Sequence, residues 1–259
     1  MALYDAIGRT YDATRRADPE ISDILARLIE FMPGARYLDV ASGTGNYTIA
    51  FANRGARLIA AELSATMLAQ ARAKGGCVDW TMADAEKLPF GNGKFDGAMC
   101  TLAIHHMRNP AAVFREVFRV MRSGRFVIFT ADRDQMEGYW LNEYFPSLMA
   151  RGIVQMPPLD AVETDLRRSG FDGIVIKRWS VSETLEDLFL YAGKFRPEIY
   201  LDSVTRAGIS TFASYTDKSE IERGLKRLDD DVKSGRFAEV ADFYRNELGD
   251  YAFVAATKE

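Results

Sequence analysis

Nine consecutive residues constrain this chain more than any others: Leu38-Asp39-Val40-Ala41-Ser42-Gly43-Thr44-Gly45-Asn46. An apolar strand, Tyr37 to Val40, carries an acid near its end and runs into a loop of small residues. A helix follows from about Asn46 to Arg54, with Gly55 as its stop. Small residues let the backbone approach a ligand closely, and the first turn of a helix supplies free N–H groups. Glu62 ends the next apolar segment, Arg57 to Ala61, 23 residues after Asp39. In nucleotide-binding strand–helix–strand units, an acid about 20 residues on accepts hydrogen bonds from ribose hydroxyls. The loop reads D-x-A-x-G-x-G, not the G-x-G-x-x-G of pyrophosphate binders, so the pattern points to an adenosine-bearing ligand of another kind.

Around this unit, strands and helices alternate. An amphipathic helix is expected from about Glu20 to Phe31, ended by Pro33-Gly34. Ser64 is a candidate cap for a helix running to Lys74. Further strands are expected at Val78–Met82, Phe95–Leu102 and Gly124–Ala131, with a helix marked by Val113, Val117, Val120 and Met121. Beyond Asp132 the pattern loosens to a helix from about Leu159 to Ser169, a strand from Gly173 to Trp179, about seventy residues that read as helical, and a last strand from Tyr251 to Thr257. The expected fold is α/β: a Rossmann-like, seven-stranded, mostly parallel sheet with helices on both faces. Its expected organisation is an N-terminal helical cap (1–34), a core (35–181), a helical insertion packed over the sheet's active edge (182–248) and the final core strand (249–259). In such sheets, ligands gather at the carboxyl ends of the strands.

Three more elements follow in order: Ala83-Asp84-Ala85 with Leu88-Pro89-Phe90, the run from Phe95 to Met107, and the Met121–Gly124 turn. With them the chain resembles the class I S-adenosylmethionine (SAM)-dependent methyltransferases, and most of all the branch holding ubiquinone/menaquinone-biosynthesis C-methyltransferases and natural-product methyltransferases. The resemblance covers about Tyr37 to Ala131. It implies SAM as cofactor and S-adenosylhomocysteine (SAH) as product. It also implies that Asp39 and the Ala41, Gly43 and Gly45 backbone approach the methionine part and that Glu62 holds the ribose. Leu63 and Met67 would flank adenine, Asp84 with Ala85 would read its edge, and Thr101, Leu102 and His106 would lie beneath the cofactor. One departure is Ala41, where the family has the first loop glycine; alanine resists positive φ, so an extended conformation is expected there. The N-terminal stretches Tyr4–Gly8 and Tyr11–Arg16 are similar to the segment that closes over SAM in this branch, which would set Tyr11 near the sulfonium and Arg15 on the methionine carboxylate.

Methyl transfer is an in-line displacement, so such a protein chiefly positions donor and acceptor and excludes water. The aromatic cluster Tyr139, Trp140, Tyr144 and Phe145 is the candidate lining of the acceptor pocket, with core packing as the alternative. Tyr191, Phe195 and Arg196 in the insertion would suit an acidic or phosphorylated acceptor, a prenyl diphosphate among them, with a solvated helix face as the plainer alternative. Candidate proton acceptors are His106, Asp132 and His105, with Tyr11 as a further catalytic candidate; a structural contact is favoured for His106.

The formal charge of −4 and a pI near 5.4 offer no global attraction for nucleic acid, so a small-molecule acceptor is the expected partner. Cys77 and Cys100 sit in apolar runs and read as buried, and without a Cys/His cluster no metal is expected. The first residues, Met1 to Ala6, are not a basic stretch followed by an apolar one, and no apolar run is long enough to span a bilayer, which makes the cytoplasm the expected compartment. No feature sets an oligomeric state. Competing readings are a SAM-binding regulator or partner subunit without transfer activity, an RNA or protein methyltransferase (although Asn/Asp-Pro-Pro-Tyr/Phe is absent) and, remotely, a NAD-linked dehydrogenase.

Overall fold

The computed structural model describes residues 8–259, with side chains from residue 11 onward; the Tyr4–Ile7 part of the N-terminal resemblance lies outside the described residues. Seven strands form one sheet: β1 (Arg36–Val40), β2 (Arg57–Glu62), β3 (Val78–Met82), β4 (Gly97–Thr101), β5 (Gly124–Thr130), β6 (Asp172–Trp179) and β7 (Tyr251–Lys258). Their order is β3-β2-β1-β4-β5-β7-β6, with β7 antiparallel to both neighbours and the other pairings parallel. This is the seven-stranded Rossmann-like arrangement expected.

The two-residue period of the strands divides the core between the two faces. Leu38, Val40, Ile59, Ala98, Cys100, Phe126 and Ile128 point to one face. There they meet helix α4 (Pro110–Val120) through Val113 and Val117, and α8 (Leu159–Arg168) through Val162 and Leu166. Tyr37, Leu58, Met99, Val127 and Phe129 point to the other. That face is covered by α1 (Pro19–Leu28), by α2 (Asn46–Asn53) and by the aromatic-rich later segments. Helix starts follow the sequence signals. Asp18 caps α1, Ser64 caps α3 (Ala65–Ala73) and Asn109 caps α4, each accepting a backbone N–H of the first turn. Helix α1 ends at Leu28, earlier than the apolar period suggests, and the chain then turns through Glu30 at φ 55°.

The loosely patterned region beyond β5 holds three short helices, α5 (Arg133–Glu137), α6 (Leu141–Tyr144) and α7 (Pro146–Gln155), before α8. Within 182–248 the helices are α9 (Ser203–Ala207), α10 (Ser210–Ala213), α11 (Lys218–Ser234) and α12 (Phe237–Phe243); residues 182–196 are turns rather than helix. Cys100 is buried on β4, but Cys77 is exposed, contrary to expectation, because it sits in the turn that follows Gly75 and Gly76 before β3 begins. No helix among the described residues is long and apolar enough to cross a membrane.

Candidate active site

The strand order reverses between β1 and β4, and in open α/β sheets a crevice forms outside the carboxyl ends of the strands at such a point. Here it is a cavity of about 900 Å³. That is wide for one small ligand and ample for a nucleoside-sized one with a second molecule beside it.

The loop after β1 forms one wall. Its backbone is left-handed at Ala41 (φ 56°), Gly43 (φ 58°) and Gly45 (φ 73°). Ala41 is therefore not extended as expected. The turn needs three left-handed residues to fold the chain back onto β2, where the Ser42 N–H donates to the Ala61 carbonyl (3.1 Å), and alanine accepts the strain of one of them. Gly45 does not line the cavity. An added Cβ there would lie 2.1 Å from the Trp80 ring, so this glycine serves close packing of the loop on β3.

Two acids anchor the wall. Glu62 accepts from two backbone amides, Gly43 N–H on Oε2 (2.9 Å) and Ser64 N–H on Oε1 (2.7 Å), which orient its carboxylate. Asp39 is buried and accepts from Thr48 Oγ1 through Oδ2 (2.5 Å). Burial raises its pKa to about 7, against the opposing pull of the Thr48 hydrogen bond and with a smaller push from Glu62. Buried polar atoms are nearly always hydrogen-bonded. Six side-chain atoms among the described residues are not, and four of them, Asp39 Oδ1, Ser42 Oγ, Thr101 Oγ1 and His105 Nδ1, belong to residues lining this cavity. That concentration marks a place built for a polar ligand.

The other expected cofactor residues of the core all line the cavity. Leu63 is exposed at the mouth and Met67 is buried on α3; Asp84 and Ala85 follow β3, and all four line the cavity. Thr101 and Leu102 at the end of β4 line it too, Leu102 in the left-handed region at φ 51°. His105 and His106 stack beside them at 3.9 Å between ring centroids. Burial drives the His106 pKa down to about 4 and that of His105 well below the usual value, so both imidazoles are neutral at pH 7.

The N-terminal segment also reaches the cavity. Tyr11 and Arg15 line it, with Arg15 Nη1 donating to Tyr11 Oη (2.7 Å). Arg15, however, is already paired with Asp187 of the 182–196 turns (Nε to Oδ1, 2.5 Å), so its charge is compensated within the protein rather than left for a ligand carboxylate. Tyr47 donates to the same Asp187 (3.2 Å). Asp12 takes hydrogen bonds from Thr44 Oγ1 (2.6 Å) and Lys74 Nζ (2.7 Å), which tie the segment onto the β1 loop.

Several expectations fail. Asp132 does not line the cavity. It caps α5 in a capping box and also accepts from the Leu159 N–H (3.3 Å), so its carboxylate is spent on two helix starts. Tyr139, Trp140, Tyr144 and Phe145 are fully buried in the core and none lines the cavity. Their polar tips are satisfied internally: Tyr139 by the Asp250 carbonyl, Trp140 Nε1 by the Lys194 carbonyl (3.1 Å) and Tyr144 by Asp231 (3.0 Å). Tyr191 stacks on Tyr139 (3.9 Å between centroids) in the same core, Phe195 is exposed away from the cavity, and Arg196 donates to the Leu185 carbonyl (2.7 Å). This aromatic block welds the later segments to the sheet. The cavity is lined instead by residues that no sequence pattern singled out: Tyr47, Asp187, Arg108, Arg151, Gln155, Ser210 and Ser214. They are isolated polar or aromatic positions without periodicity, and only the long-range packing brings them together.

Comparison with known proteins fits this geometry. Residues 38–129 match the family described as methyltransferase domain. A crystal structure from Anabaena variabilis, described as a methyltransferase of an antibiotic biosynthesis pathway, is 32% identical with a TM-score of 0.86, covering 94% of this chain and 99% of that one. The demethylmenaquinone methyltransferase of Parafrankia sp. is 31% identical over 148 residues, 48% of this chain and 58% of that protein. That of Mycobacterium tuberculosis H37Rv is 32% identical over 128 residues, 48% and 54% respectively. The chain thus spans little more than half the length of these curated relatives. With that family match and a 32% identical relative aligned over nearly the whole of both chains, the chain belongs to the class I SAM-dependent methyltransferases.

Proposed function

We propose that this protein transfers a methyl group from SAM to a small-molecule acceptor at a carbon or oxygen centre. When bound, SAM supplies a methyl group activated by a cationic sulfur. The observation that carries the reading is the convergence of Asp39, Glu62 and four orphaned polar atoms on one cavity at the strand-order reversal. On this reading Asp39 faces the cationic methionine end and Glu62 receives the ribose hydroxyls. Asp84 and Ala85 meet the adenine edge between Leu63 and Met67, while Thr101 and Leu102 form the floor. Tyr11 closes the cavity from the N-terminal side, where Arg15 positions its hydroxyl.

The neutral, weakly basic His106 is a poor proton acceptor at pH 7, because efficient general bases titrate near the working pH. The reading therefore gives His106 a contact role and favours an acceptor that is already nucleophilic. Segments 1–34 and 182–248 act as cap and lid on either side. Support for this comes from Tyr11 and Arg15 in the first and Asp187, Ser210 and Ser214 in the second, all of which line the cavity. Quinone-type and natural-product intermediates, named by the relatives, are the first acceptors to screen. A prenyl diphosphate loses its original support, since Arg196 and the aromatic block lie elsewhere.

The test is calorimetric titration of SAH into wild type and Glu62→Gln, followed by conversion of SAM to SAH with a cell extract. Binding weakened at least tenfold in the variant, with time-dependent SAH formation, is the expected result. Absence of SAH binding to wild type would refute the reading. Binding without turnover on any extract would favour a SAM-binding protein that does not transfer methyl groups.

A further inference from the structure

Three arginines reach the cavity, and they differ in how their charge is met. Arg15 is buried against Asp187. Arg108 at the mouth lies 3.6 Å from Asp84 and 3.8 Å from Glu86. Arg151 forms no ion pair among the described residues; its Nη1 donates instead to the Ser214 backbone carbonyl (3.1 Å), which aims the guanidinium without neutralising it. Gln155 follows Arg151 by one turn on α7, and Ser210 and Ser214 are one turn apart at α10, so each pair shares a helix face. All four line the cavity. The two helices approach closely where Gly152 is buried: a Cβ there would lie 3.2 Å from Thr211 Cγ2.

The cavity is therefore electrically polarised. Its cofactor side carries Asp39, Glu62 and Asp84, and its two imidazoles are uncharged at neutral pH. An anion is repelled from that side and attracted to Arg151 on the other, which no carboxylate among the described residues neutralises. Guanidinium groups suit oxyanions because their planar donors match two oxygens at once.

We propose that Arg151, supported by Gln155 and the hydroxyls of Ser210 and Ser214, forms a subsite for an oxyanion group, carboxylate or phosphate, on the methyl acceptor. This rests on the methyltransferase reading of the cavity. It replaces Arg196, which the fold turns away, with a cation held at the cavity.

The probes are benzoate and inorganic phosphate, titrated calorimetrically into wild type, Arg151→Gln and Arg108→Gln, each with and without saturating SAH. One probe should bind wild type, lose at least tenfold in affinity with Arg151→Gln and change little with Arg108→Gln, while SAH affinity and the thermal midpoint stay as in wild type. Benzoate binding would specify a carboxylate acceptor and phosphate binding a phosphorylated one. If neither probe binds in either state, or Arg151→Gln binds as wild type does, the proposal is overturned. A wild type that holds a probe through Arg151 but takes no SAH would overturn the methyltransferase reading, and with it the assignment of the anion to a methyl acceptor.

Discussion

Asp39→Asn should make the ligand-free protein more stable and the cofactor bind less well. The buried carboxyl of Asp39 titrates at about 7 instead of its ordinary 3.8. Between those values the folded chain binds a proton that the unfolded chain has released. Ligand-free stability therefore falls as pH rises from about 4 to 7, and it is flat outside that window. A displacement of that size corresponds to roughly 4 kcal/mol in full. Asparagine removes the charge and can still accept from Thr48, but it aims an unsatisfied amide into the cavity, which costs about 1–3 kcal/mol. The variant should thus be more stable than wild type by about 1–3 kcal/mol at pH 8 and should lose this advantage near pH 4.

Binding should move the opposite way. On the proposed reading the ammonium of SAH meets ionised Asp39, a charge-assisted hydrogen bond of about 1.5–3 kcal/mol, so Asn should weaken SAH roughly 10- to 100-fold at pH 8. Wild-type affinity should fall up to about tenfold per pH unit below 7, as ligand binding must first expel the proton, whereas the variant's profile should be flat. Urea unfolding and SAH calorimetry at pH 5.5, 6.5, 7.5 and 8.5 measure both. A wild-type affinity that does not change across pH 7, or a variant less stable than wild type at pH 8, would refute this account of Asp39.

Gly45→Ala and Gly43→Ala place alanine in the same backbone region, but only the first meets Trp80. Strain of about 1–2 kcal/mol is common to both, and overpacking adds about 1–3 kcal/mol at Gly45 alone. Urea midpoints should separate the two, and Trp80→Ala should rescue only Gly45→Ala. Ala41→Gly should raise stability by roughly 0.5 kcal/mol, the relief of left-handed strain less the extra chain entropy of glycine, and a loss above about 1 kcal/mol would argue against a left-handed Ala41. Asp187→Asn strands the buried Arg15 charge and should cost about 3–5 kcal/mol in thermal or chemical unfolding; a cost below about 1 kcal/mol would mean that the pair is solvated.

Much of the cavity wall around the β1 loop was legible in the chain itself. The strand-ending acid, the small-residue loop and the Ser64 cap are local devices, since each depends on φ, ψ and hydrogen bonds within a few residues, and Glu62 sits one strand–helix–strand unit on, where its carboxylate returns to the Gly43 N–H. The alternation of strand and helix periods then left few ways to assemble the sheet. The opposite wall was not legible in the same way. Tyr139, Trp140, Tyr144 and Phe145 have the composition of a binding pocket and also of a core, and only the packing of the later segments against the sheet sent their rings inward. Arg15 and Arg151 are chemically alike in sequence, yet one is neutralised by Asp187, 172 residues away, and the other has no ion-pair partner among the described residues. Asp132 likewise stood at a strand end where a base would suit, and the helix start beside it claimed its oxygens. Local backbone preference is written in neighbouring residues. Charge compensation and the direction of a buried ring depend on partners distant in the chain, and those are decided only when the tertiary structure closes.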